Sequence, residues 1–154
     1  MKLRNEVWFL AVLLAINLVL AGAGMAVPIF NIAFGFLVGL LVVRKVSSRG
    51  GSRDDTARMA WLIGLILAAS TFVIMAAIWI PQGWVLLSPH ADLSKLGIPQ
   101  ILYSPRASLI GWLTLMIVIS PFLQLMSVGF SVFIAQVFTS RKAVGPGGIS
   151  RAGC

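Results

Sequence analysis

Cysteine occurs once, at Cys154, histidine once, at His90, and acidic residues only four times in 154 residues. A single cysteine excludes an intrachain disulfide, a CxxC redox pair and a cysteine zinc cluster. Placed last, Cys154 lacks the three following residues that a prenylation box needs, and an exposed bystander is expected. A single histidine excludes a haem held by two histidines of one chain. No phosphate-binding loop, dinucleotide fingerprint or HExxH motif is present. No cofactor and no metal site are expected.

The scarcest thing is charge. Charged residues are 10% of the chain, against about 25% in soluble domains. None falls in Val7–Val43, Met59–Pro89 or Ala107–Ser140. As one helix the first run would reach ~55 Å, too long for a single crossing of a ~30 Å hydrocarbon core and about right for two. With 59% hydrophobic residues, the chain has more apolar surface than a water-soluble core can use, so a lipid bilayer is the expected solvent.

What charge there is lies in short segments. Lys2 and Arg4 precede the first run. Arg44, Lys45, Arg49, Arg53 and Arg58 separate the first and second, and Arg141, Lys142 and Arg151 follow the third. Only Lys95 and Arg106 lie elsewhere. This spread is unlike the compact basic face of a nucleic-acid binder, so the net charge of +8 is read as topology control and no nucleic acid is expected. Basic residues near span ends stay cytoplasmic. The N-terminus, the 44–58 loop and the C-terminus are then inside, and 81–106 outside.

Four spans satisfy that parity, near 5–22, 27–45, 58–80 and 105–140. They form one helical membrane domain over 1–144, with a flexible cytoplasmic tail over 145–154 that is rich in glycine. A plasma (inner) membrane location is expected. Trp8 and Trp61 fall at inner ends, and Trp79, Trp84 and Trp112 near outer ends, in the headgroup zones that indole favours. The first span turns near Gly22-Ala23-Gly24, before Pro28. It also resembles a secretory signal peptide, which would remove about residues 1–23, but no polar mature start follows.

Ser88-Pro89 pairs an N-cap with proline at the first helical position, and Gly97 follows as a stop, which predicts a short interfacial helix over 89–96 in the outer loop. Ser104-Pro105 opens the last span. Pro121 lies inside it, so a kink or a break is expected there.

No Asp, Glu, Lys, Arg or His lies deep in a span, which argues against proton-coupled transport and voltage sensing. Neutral polar residues do. Ser120, Gln124, Ser127 and Ser131 follow helical spacing and share one face. They read as interhelical hydrogen bonds or as the lining of a pore. Asn17 and Asn31 are possible partners for each other or for Gln124. Small residues recur every four positions at Gly35 and Gly39, at Ala60, Gly64 and Ala68, and at Ala11 and Ala15, and such faces allow close helix approach. Packing within one chain is expected first, homo-oligomer contacts second. The 44–58 cations, Arg44, Lys45, Arg49, Arg53 and Arg58, are candidates for anionic-lipid contact.

Three functions fit these residues. The first is a non-enzymatic subunit of a larger membrane complex, or a self-associating bundle. The second is an oligomeric pore or carrier for a small neutral solute, lined by the Gln124 face. The third is a membrane enzyme using His90, Asp92, Tyr103 and Arg106 of the outer loop. His90 and Asp92 are two apart and diverge on a helix, so no catalytic residue is assigned.

Overall fold

The computed structural model describes residues 2–23, 29–88 and 104–143. Every regular element in them is helical: α1 Lys2–Ala23, α2 Ile29–Ser47, α3 Arg53–Leu86, α4 Pro105–Thr114, a π-helical turn at Leu115–Ile119, and α5 Ser120–Ala143. Four helices are long and apolar enough to cross a membrane, the last being continuous from Pro105 to Thr139. The interfacial helix expected at 89–96, the turn before Pro28, and the tail over 145–154 lie outside the described residues.

The two ends of the third long helix differ most from the sequence reading, while α2 ends two residues later than expected, at Ser47. The third long helix begins at Arg53, not near 58, because Ser52-Arg-Asp-Asp55 forms a capping box. The Ser52 hydroxyl accepts from the Asp55 N–H at 3.1 Å, and the Asp55 carboxylate accepts from the Ser52 N–H at 3.0 Å. That pairing satisfies two of the donors every helix start leaves open. At the other end the helix runs through Pro81 to Leu86, where the sequence placed the outer loop. Proline removes only one hydrogen bond, and the turn beyond it is held by packing. A β-carbon on Gly83 would lie 3.0 Å from Leu113 Cδ1, and the Leu87 N–H caps Gly83 O at 2.9 Å.

At Pro121 the last long helix is irregular but uninterrupted. The π turn at Leu115–Ile119 immediately precedes it, with the Ser120 N–H donating to Leu115 O. A wider turn relieves the clash between a proline ring and the preceding carbonyls, and π turns are a usual source of helix distortion. The α2–α3 connection is tight. Gly50 adopts φ +68°, the one left-handed residue described, and the Gly51 N–H donates to Val46 O at 3.1 Å. Only glycine takes that conformation without a Cβ penalty.

The helices pack around two apolar clusters. The larger joins Leu13, Phe34, Val38, Leu67 and Val128 from α1, α2, α3 and α5. The smaller, toward the opposite end, joins Ala21, Met75 and Met116 with Trp79 and Trp112 around it. Those two indoles meet edge to face at 4.4 Å. The most extensive interface is between α2 and α5. These helices run parallel, since Gly35 meets Gln124 and Gly39 meets Val128 and Ser131. The outer surface is apolar too: Trp8 and Val19 are 67% exposed, and Phe133 64%.

Candidate functional site

The polar residues of the interior converge on one level of the bundle. Asn17, Thr71 and Gln124 are each fully buried, at 0% exposure. They form a closed ring: Asn17 Nδ2 donates to Thr71 Oγ1 at 2.9 Å, Thr71 Oγ1 to Gln124 Oε1 at 2.8 Å, and Gln124 Nε2 to Asn17 Oδ1 at 2.8 Å. Asn17 Nδ2 also reaches Ser70 Oγ at 2.9 Å and Leu67 O at 3.3 Å. The ring ties α1, α3 and α5 together. Each member supplies what the next requires, so burying it leaves little desolvation cost unrecovered.

Helix α2 joins the same layer through glycine. A β-carbon on Gly35 would lie 2.5 Å from the Gln124 carbonyl oxygen and 3.2 Å from its Cγ. One on Gly39 would collide with Ser131 Oγ and stand 2.6 Å from Val128 O. Both positions are crossings that a side chain would prevent. Between them, Ser127 Oγ donates to Ile32 O at 2.8 Å, and Ser131 Oγ to Val128 O at 2.8 Å.

The small series on α3 also packs inward. Ala60, Gly64 and Ala68 are buried, and a β-carbon on Gly64 would meet Leu125 Cδ1 at 3.0 Å. Ala11 and Ala15 are exposed instead, because Leu13 and Asn17 carry the inward face of α1. Asn31 is buried but outside the ring, and its Oδ1 has no partner among the described residues, as is true of Ser120 Oγ. The register that sets Gly35 against Gln124 puts these two at one level, a turn toward the α4 end.

Thr71 and Ser70 were not singled out from sequence. The signal was there: they are the only hydroxyl residues between Met59 and Pro81. Glu6 was missed as well. Its carboxylate pairs with Lys45 Nζ at 2.9 Å and with Arg49, and Lys45 stands 3.5 Å over the Phe9 ring. That clamp joins the start of α1 to the end of α2. Arg44, Arg53 and Arg58 remain exposed around it.

Chemically the interior offers amides and hydroxyls that mostly bond one another or the backbone, with Asn31 Oδ1, Ser120 Oγ and the Trp79 indole nitrogen left without a partner among the described residues. Among the described residues no three His, Cys, Asp or Glu side chains gather. Arg106 is exposed at the start of α4, while His90, Asp92 and Tyr103 lie outside the described residues. The chain matches no protein-family model, no curated protein and no solved structure. Its class is therefore defined by its own architecture: an all-helical bundle of four membrane-length helices around a neutral polar ring.

Proposed function

We propose that this chain is a non-catalytic integral membrane protein whose bundle serves as a structural partner, either a subunit of a larger membrane assembly or a self-associating unit. Its termini and the 44–58 loop face the cytoplasm, held there by their cations. Apolar side chains exposed on all four long helices support lipid as the solvent.

The observation that carries the reading is the orientation of the polar stripe. Ser120, Gln124 and Ser131 are each 0% exposed within a single chain, and the hydrogen-bonding groups of Gln124 are occupied by Asn17 and Thr71. A stripe that lined a pore between copies would face outward from the monomer with open donors and acceptors. Here it knits the monomer together. The test is reconstitution of wild type and Gln124→Leu in vesicles, with affinity purification in mild detergent. The expected result is no solute flux from either protein, together with a reproducible set of companions or one discrete oligomer. Flux that Gln124→Leu abolishes would establish the pore reading instead.

A further inference from the structure

One face of the bundle is a ridge with a channel on each side. The ridge is Trp61 of α3, 50% exposed. One channel, of about 670 Å³, is walled by Ile32, Leu123, Met126, Phe130 and Phe133. The other, of about 510 Å³, is walled by Leu62, Leu65 and Leu125, with Arg58 at its mouth. Both are open surface grooves rather than enclosed cavities, a shape suited to a flexible chain lying along the bundle.

We propose that this face binds one anionic phospholipid of the inner leaflet, its acyl chains lying either side of Trp61 and its phosphate on Arg58. The proposal rests on the membrane placement argued above. Length supports it. The larger channel follows α5 from Phe133 to Leu123, which at ~1.5 Å per residue is about 15 Å, half of a ~30 Å hydrocarbon core. It thus spans one leaflet, from the end of α3 that carries the cations to the midplane.

Shape and charge support it too. A second helix, about 10 Å across, would have to straddle the projecting indole and the flanking Phe130 and Phe133, which are 59% and 64% exposed. Two flexible chains lie on either side of it without that constraint. The one hydroxyl on the channel walls, Ser127, already donates to Ile32 O, and Arg58 is the one charged residue on either wall. Arg58 is exposed, and among the described residues no carboxylate reaches ion-pair distance of it. Asp55, one turn back, is held by the Ser52 N–H and hydroxyl and acts on Arg58 only at longer range. A phosphate at the headgroup level meets that guanidinium as a bidentate partner.

The test purifies the protein in mild detergent from vesicles of equal parts phosphatidylcholine and phosphatidylglycerol and measures the retained lipid by native mass spectrometry. Wild type is expected to retain phosphatidylglycerol over phosphatidylcholine by about fivefold, the effect of one basic residue at an anionic surface. Arg58→Gln should keep lipid and lose the preference, and Arg58→Lys should keep most of it. Gly129→Leu should lose lipid of both kinds by filling the larger channel. A β-carbon there stands 3.8 Å from Trp61, an ordinary contact, so the position admits a side chain, and equal helix content by circular dichroism is the control that the fold is kept. An unchanged preference in Arg58→Gln, or unchanged retention in Gly129→Leu, overturns the proposal. So does a lipid-free wild-type dimer that Gly129→Leu turns into monomer, which would assign the face to a second copy. Loss of the protein from alkali-washed membranes would instead remove the membrane placement itself.

Discussion

Replacing Gly35 with alanine probes the α2–α5 crossing through the sign of its effect. In an unobstructed helix, glycine to alanine stabilises by about 1 kcal/mol. At Gly35 the new methyl would stand 2.5 Å from the Gln124 carbonyl oxygen, where ordinary contact begins near 3.4 Å, so the two helices must part locally by roughly 0.9 Å. A gap of that size forfeits a quarter to a half of the dispersion attraction across the seam. It also carries the Ser127 hydroxyl, now 2.8 Å from Ile32 O, beyond hydrogen-bonding distance. Overpacking of this kind costs about 1–3 kcal/mol. Set against the propensity gain, a net loss of about 0–2 kcal/mol is expected, against a gain of about 1 kcal/mol where nothing obstructs the methyl. Gly111 is the internal control, because a β-carbon there meets nothing within 4 Å. Gly111→Ala should be neutral or stabilising. Unfolding in a mixed-micelle titration with sodium dodecyl sulfate, followed by circular dichroism, reads both. If Gly35→Ala is as stable as Gly111→Ala, the close crossing is not a feature of the folded protein.

Two further outcomes are expected. Asn17→Leu and Gln124→Leu should each destabilise by about 1–3 kcal/mol, because each strands the other's buried amide. The double variant should lose less than the two together, by about 0.5–2 kcal/mol, and strict additivity in the same titration would show that the ring is not coupled. In a Cys154→Ser background, Arg49→Cys should resist a membrane-impermeant maleimide on intact cells while Lys95→Cys reacts, and the reverse pattern would invert the topology.

The extra length of α3 shows what a local signal can carry. Ser52 and Asp55 at spacing three are visible in sequence as a capping box, yet the apolar run that marks a span starts only at Met59. The helix therefore extends beyond the segment that hydropathy marks, as it does again past Pro81. Capping and packing decide helix ends, while hydropathy reports only the part suited to lipid.

Sequence alone determined the four long apolar helices, the charge contrast between their two ends, and the shared face of Ser120, Gln124, Ser127 and Ser131. These follow from composition and from the 3.6-residue period, which act within one segment. Only the tertiary structure decided that α2 lies parallel against α5, that Gly35 and Gly39 admit the Gln124 and Val128 backbone, and that Asn17, Thr71 and Gln124 close a ring across as many as 107 residues of chain. The reason is physical. A helix apolar on every side carries no amphipathic signal to name its inward face, so the choice of partner rests on backbone approach and hydrogen-bond geometry, which arise only when the helices meet.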